Sequence, residues 1–424
     1  MPIIKPFKGI FYNRRNGNID DVIAPPYDVI SPEQQSMLYD RHPENVIRLI
    51  LGREEDRYAS AARYFSAWRT SGILSHDTEE SLYYLVQDFS LNSGAHVSRK
   101  GFIAACKLED FGKGSVFPHE KTLANPKEDR FKLFQATKAM FSQIFSLYAD
   151  PQHDLDTFFV QWKKKAPWID AVFENVRNRI WKISDTETIH SVQRFLSNRR
   201  VFVADGHHRY ETALVYRDAM RLQHPESRGG EAFNFVPMFF TNMNDPGLIV
   251  LPTHRIIHSF PGFDQHKVLE KLKSSFMIEP HHSLQQLVSA LQLEKSQSFG
   301  LILAHAPEFV LLRFAQPMLL INEGIPKVLA DLDVTILHSI IVKNILGINE
   351  EDQIKKRHLD YIKDEQHALD FVRDGKAQAA FLLNPTRVDQ VCAVAESGYT
   401  MPQKSTYFYP KLLSGLVMYS FEKS

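Results

Sequence analysis

The stretch VFVADGHHRYETAL, residues 201–214, limits the fold more than any other part of the chain. Val201, Phe202, Val203 and Ala204 form a short run of β-branched and aromatic character that suits a buried strand. From Glu211 to Leu222 there is no Gly or Pro, and Ala213, Leu214, Val215, Ala219, Met220 and Leu222 give a helix one broad apolar face. Asp205-Gly206 is then the turn, and His207-His208-Arg209 lies at the first helical turn. The N–H groups and positive dipole end of a helix start favour an anion there. Arg209 adds a forked cation that matches phosphate oxygens. The expectation is a phosphate cradle built from Asp205, Gly206, His207, His208 and Arg209, with Asp205 bracing the turn or holding Mg²⁺.

Strand and helix patterns alternate on both sides of this junction. PPYDVISPEQQ (25–35) carries a helix start, with Ser31 as N-cap, Pro32 at the first position and Gln34 three residues after the cap. NVIRLIL (45–51) reads as a strand, and Tyr58, Ala62, Phe65 and Trp68 recur at helical spacing before Gly72. LYYLVQDF and GFIAACKL read as paired strands joined by a polar turn. After about residue 245 the segment GLIVLPTHRIIHSF reads as a strand. Helices follow from Asp264 to Phe276 and from Leu284 to Leu293, then two strands and the helix DVTILHSIIVKNIL. Short links between alternating elements predict an α/β (α+β) chain with two domains, 1–245 and 246–424.

Composition removes several classes of function. Lys plus Arg and Asp plus Glu number 50 each among 424 residues, so the basic excess of a nucleic-acid surface is missing. Cys106 and Cys392 are the two cysteines, too few for a disulfide framework or a Cys-rich zinc site. No run of about 18 apolar residues predicts a membrane span. The opening MPIIKPFKGIFYNRRNGNIDD does not read as a signal peptide, so a cytoplasmic protein is expected.

Four further polar clusters stand out. APPYDVIS presents Tyr27 and Asp28 on a rigid Pro-Pro turn, although a capped helix entrance would use the same residues. FPHEKTLANPKEDR (117–130) holds His119, Glu120, Lys121 and Thr122 ahead of a helix. No second histidine follows there, so it is not a zincin motif. LPTHR (251–255) ends a strand with His254-Arg255. MPQKSTYFYPKLLSGL (401–416) offers Lys404, Ser405, Thr406 and Lys411 around an aromatic run, fit to hold a phosphate or carboxylate or simply to dock on the core. Isolated histidines, His338 among them, read as ordinary surface or core residues.

The opening stretch is similar to the phosphate box of the ParB and sulfiredoxin superfamily, a Gly-x-His-Arg turn that opens a helix. That resemblance implies a ParB/sulfiredoxin-like first domain, with a second α+β domain after it. It also implies nucleotide phosphates in the box, as with ATP in sulfiredoxin, CTP in ParB, and ADP or ATP in free-serine kinases. Sulfiredoxin chemistry needs a cysteine beside the glycine; His207 stands there, which excludes sulfinic-acid repair. Taken together, APPYDVIS, PHEKT, DGHHRYETAL, LPTHR and KSTYFYPKLLSG resemble, over nearly the whole chain, the family known as domain of unknown function 1015.

These readings predict a phosphotransferase, a small-molecule kinase that moves a phosphoryl group between ADP or ATP and a small hydroxylated metabolite such as serine or phosphoserine. Mg²⁺ is expected with the nucleotide. Glu120 is the first choice for the base and Asp28 the second, with His119 beside them. Tyr27, His254, Arg255, Lys404, Ser405, Thr406 and Lys411 are expected to bind substrate. The expected partners are a nucleotide and a small molecule, with no nucleic acid or membrane. A nucleotide-gated regulator and a phosphate-ester hydrolase remain the alternatives.

Overall fold

The two apolar runs flanking residues 91–95 fold back on each other. Leu82–Ser90 and His96–Lys107 form an antiparallel hairpin with Tyr84 opposite Phe102 and Ser90 opposite His96. The computed structural model describes residues 1–13, 17–91, 93–122, 124–294, 296–355 and 357–422. Phe235–Asn242 pairs antiparallel with His96–Lys107 and parallel with Ile144–Tyr148, which runs antiparallel to Val201–Asp205. With Val176–Ile183, Ile169–Phe173, Val116–Phe117 and Ile4–Lys5 these make a mixed sheet of nine strands among the described residues. Every residue of Phe235–Asn242 is buried, the property that lets a strand dispense with polar alternation.

The chain divides into two units. The first holds this sheet and comprises Met1–Pro118, Thr122–Ile249 and Pro410–Ser424; the second comprises His119–Lys121 and Val250–Tyr409. The central stretch of the first unit thus ends at Ile249, and the segment beginning at Pro410 belongs to it as well, with Tyr419–Ser420 paired to Ala139–Met140.

The second unit is built on a six-stranded antiparallel sheet in the order Phe276–His281, Phe309–Phe314, Ser298–Leu303, Ala379–Leu382, His254–Ile257, Leu359–Ile362. Successive side chains on a strand point to opposite faces. Ile256 accordingly packs with Leu287, Leu291 and Leu369, whereas Ile257 packs with Leu301, Leu312 and Ile341. Helices therefore cover both faces.

Four expected elements differ: the helix expected from Asp264 to Phe276 ends at Leu272, and Phe276 opens a strand. NVIRLIL is not a strand: Ile47–Ile50 is a short helix with Ile47, Leu49 and Ile50 all buried. Asn45, fully buried, accepts from Ile47 N at 2.9 Å and donates to the Asp21 and Ile23 carbonyls, which turns the backbone there. A short apolar run fits a buried helix as well as a strand. The expected strand of 247–260 is two, Ile249–Leu251 and His254–Ile257, parted at Pro252, which has no N–H to donate. The expected helix at 333–346 is α-helical over Asp333–Ile336 and π-helical over Leu337–Ile345. Among the described residues no helix is long and apolar enough to cross a membrane.

Candidate functional site

Val201–Asp205 ends in a register shift, so that Val203 lies opposite Ser146 and Asp205 opposite Phe145. Such an irregularity re-aims the side chain at a strand end. Gly206 follows with φ 94° and ψ 25°, a left-handed turn that residues with a side chain adopt at a cost. The helix His207–Gln223 starts at once, with Tyr210 N donating to Gly206 O at 2.9 Å.

Lys411 Nζ donates to Asp205 Oδ2 at 2.5 Å across 206 positions of sequence. Its backbone is placed by a buried network. Gln87 Nε2 bonds Asn178 Oδ1 at 2.8 Å, the Arg99 guanidinium donates to Gln87 Oε1, and Arg99 also donates to Pro410 O at 2.5 Å. Arg99 is fully buried, and burial pulls its guanidinium down to about 9 while Asp245 and Asp205 push the other way. Sequence reading missed Arg99, because nothing in a strand pattern marks an inward-facing arginine.

Arg209 is 5% exposed. One terminal nitrogen donates to Ser142 Oγ at 2.9 Å and to Gln143 O at 2.5 Å; the other lies 3.9 Å from Asp205 Oδ1. The fork expected to meet phosphate oxygens is thus bound largely to protein, and it sits against the turn. A Cβ placed on Gly206 would come within 2.9 Å of an Arg209 terminal nitrogen. His207 is buried and His208 half-buried, with the His208 carbonyl accepting from Thr212 Oγ1 at 2.6 Å.

The helix start is tied to the last residue of PHEKT and to the helix that follows. Glu211 Oε2 accepts from Thr122 Oγ1 and from Lys127 Nζ, each at 2.7 Å. The PPYD turn is in the same unit: Tyr27–Val29 is a 3₁₀ turn, with the Arg130 guanidinium 3.9 Å from the centre of the Tyr27 ring. Burial, and next the charge of Asp28, push the Tyr27 hydroxyl up to about 12, while Arg130 and Arg209 oppose the rise. Asp28 itself is exposed.

The remaining expected site residues belong to the second unit. His119 is fully buried, with Nε2 3.1 Å from Thr406 Oγ1 and its carbonyl accepting from Met401 N at 2.8 Å. Glu120, half-buried, bridges to Met401. Ser405 Oγ donates to Pro402 O at 2.6 Å, so this hydroxyl serves its own loop. His254 and Arg255 occupy adjacent strand positions and so point to opposite faces. His254 Nδ1 accepts from Leu383 N at 3.2 Å, and burial followed by the charge of Arg255 pulls its ring down to about 4. Arg255, 1% exposed, donates to the carbonyls of Thr253 and Lys404 and to His338 Nε2. The histidine read as ordinary is therefore a hydrogen-bond partner of a buried cation.

A family model described as "Protein of unknown function (DUF1015)" matches residues 4–335, and the chain belongs to that family. No curated protein matches it. Among solved structures, it is similar to a conserved hypothetical protein from Pyrococcus furiosus at 15% identity and TM-score 0.36, over 72% of this chain and 91% of that one. It is also similar to a free serine kinase in complex with AMP at 12% identity and TM-score 0.36, over 72% and 88%. A third, SbnI with a C-terminal truncation from Staphylococcus aureus, stands at 11% identity and TM-score 0.35, over 72% and 83%. Likenesses this weak carry no argument about the present site.

Proposed function

We propose that the chain binds a nucleotide by its phosphates at the start of the His207–Gln223 helix and transfers a phosphoryl group between ADP or ATP and a small hydroxylated metabolite. The observation that carries this reading is Lys411 Nζ at 2.5 Å from Asp205, on the strand end that feeds the helix. Phosphoryl transfer depends on positioned positive charge around the non-bridging oxygens. Here the helix dipole, Lys411 and Arg209 concentrate it around one turn. Asp205 holds the ammonium in place, and an ammonium with three donors can serve a phosphate as well. Arg209, bound to Ser142 and Gln143, contributes its charge from behind the turn.

Asp28 takes the role of base in this reading, ahead of Glu120. It is exposed and belongs to the unit that carries Gly206, whereas Glu120 is counted with the second unit. Among the described residues no group of three His, Cys, Asp or Glu is arranged to hold a metal ion. Mg²⁺ in this scheme arrives held mainly by the nucleotide phosphates and water. Serine or phosphoserine is the metabolite that the motif resemblance suggests.

The test is calorimetry with ADP and ATP on the native chain and on Lys411→Met, followed by phosphorus NMR with a panel of small alcohols. Loss of one charge-assisted contact weakens binding by roughly tenfold to 150-fold. Equal affinity for both proteins would remove the cradle. Binding without turnover makes the chain a regulator, and phosphate release without nucleotide makes it a hydrolase.

A further inference from the structure

Arg255 is a buried cation that hydrogen-bonds no carboxylate. It is 1% exposed, and Glu120, whose charge reaches it, is not among its hydrogen-bond acceptors. Its acceptors are all neutral: the Thr253 carbonyl, the Lys404 carbonyl at 3.1 Å, and His338 Nε2 at 3.3 Å. The Tyr361 ring, its cross-strand partner, lies 5.2 Å away. Buried charges are ordinarily paired, because desolvation costs more than dipoles return. A guanidinium has five N–H groups, and these three acceptors leave some of them uncommitted.

The surroundings hold this guanidinium in a fixed orientation. His338, in the π-helical segment Leu337–Ile345, is kept neutral by burial and then by the charge of Arg255. With Nε2 accepting from Arg255, its Nδ1–H donates to Gln353 Oε1 at 2.7 Å, and Gln353 Nε2 is anchored on the Ile348 carbonyl at 3.0 Å. This relay fixes the plane of the guanidinium. Two residues before Arg255, and 8% exposed, Thr253 has a buried hydroxyl with no hydrogen-bond partner in the structure. The acceptor on the other side, the Lys404 carbonyl, belongs to a residue at φ 57°, the left-handed region that disfavours a lysine.

We propose that Arg255 and the Thr253 hydroxyl form a binding site for a small monocarboxylate, with the Lys404 carbonyl holding the place of one carboxylate oxygen. The forked guanidinium matches two carboxylate oxygens, and the hydroxyl supplies a further donor. A phosphate dianion fits less well, since the site offers one full positive charge at Arg255 and lies within the field of Glu120. Relief of the strained Lys404 conformation accompanies exchange of its carbonyl for the ligand. His254 takes no part, because it faces the other side of the sheet. His338 acts as a positioning residue, through Arg255.

This site is independent of the nucleotide reading, and its test contains no nucleotide. Acetate and inorganic phosphate are titrated, by ligand-observed NMR and calorimetry, into the full chain and into Thr253→Val and Arg255→Met. The expected result is saturable acetate binding that Thr253→Val weakens by about tenfold, with an apo melting temperature unchanged or raised because an unsatisfied hydroxyl has gone. Arg255→Met, where it folds, loses acetate binding. Acetate binding equal in Thr253→Val and the native chain would overturn the site. So would a lowered apo melting temperature in Thr253→Val, phosphate binding tighter than acetate, or acetate binding retained by Arg255→Met. The valine variant keeps the proposal testable if the methionine variant fails to fold.

Discussion

Arg209 and Arg255 are both buried arginines that sequence reading marked as anion binders, yet their surroundings differ in kind. Arg209 stands 3.9 Å from Asp205, which itself holds Lys411, so these two cations of the first unit share one carboxylate. Arg255 meets only carbonyls, a neutral imidazole and a tyrosine ring. On the proposed reading, a ligand in the first case would share cations that already face a carboxylate. In the second it would supply the hydrogen-bonded carboxylate that Arg255's own acceptors do not. The lesson is that an arginine in a motif says little until its partners are known, since the same fork can be a structural tie or an unfilled receptor.

The largest effect should separate the units by chemistry. Asp28→Asn keeps the shape of the PPYD turn and removes a base, which commonly costs about 10²–10⁴-fold in turnover. Glu120→Gln, in the second unit, is expected to cost less. Steady-state rates for both variants with ATP and the acceptor found by phosphorus NMR decide it. The reverse order would move the base to Glu120 and undo the assignment of chemistry to the first unit.

Acid should separate the units by stability. In the folded chain His254 and His338 are pulled down to about 4 and about 3, by burial first and by Arg255 second. Unfolded histidines take a proton near pH 6.5. The unfolded state therefore binds more protons below that value, so the stability these residues confer is complete above about pH 6.5 and falls as the pH drops towards 4 and then 3. At its limit the contribution is about 3 kcal/mol for His254 and about 5 kcal/mol for His338. Asp333 works in the opposite sense. Burial raises its carboxyl to about 6, so it favours the folded state at low pH and loses that contribution as the pH rises from about 4 to 6. One carboxyl against two imidazoles leaves a net loss on acidification. Hydrogen exchange at pH 7 and pH 5, corrected for intrinsic rates, should show amides of Ser298–Leu303 and Ala379–Leu382 losing protection before those of His96–Lys107. Equal loss in both sheets would erase the contrast.

Local signals carried much of this fold. The hairpin of Leu82–Ser90 and His96–Lys107 was legible from its apolar runs and polar turn, and helix Leu284–Leu293 from its own periodicity. The helix after Ser31 was legible from its cap, whose hydroxyl accepts from Gln34 N at 3.2 Å. Illegible features depend on partners distant in sequence or on side-chain direction. Lys411 could be picked out as a cation but not as the partner of Asp205. Thr253 and His338 pass for ordinary residues until Arg255 is placed beside them. The π-helical form of Leu337–Ile345 leaves an apolar pattern much like that of an α-helix, so spacing alone did not reveal it.

The smallest effect tests the turn that joins strand to helix. From sequence, Gly206 is expected to serve close approach of a phosphate more than backbone conformation, so that Gly206→Ala would melt almost unchanged without nucleotide. The observed φ of 94° reverses that expectation. Alanine in the left-handed region costs about 1–2 kcal/mol whether or not a ligand is present. Its Cβ would also meet the Arg209 guanidinium at 2.9 Å, and that group is held by Ser142 and Gln143 rather than free to swing away. Gly206→Ala should therefore lower the apo melting temperature and, by displacing Arg209, weaken nucleotide binding as well. Melting curves of the mutant and native chains, with and without saturating ADP, give both quantities. An apo curve that does not move would mean that the turn relaxes around the added methyl and that Arg209 is less firmly tied than its hydrogen bonds indicate. The difference drawn between a structural Arg209 and a receptive Arg255 would then narrow.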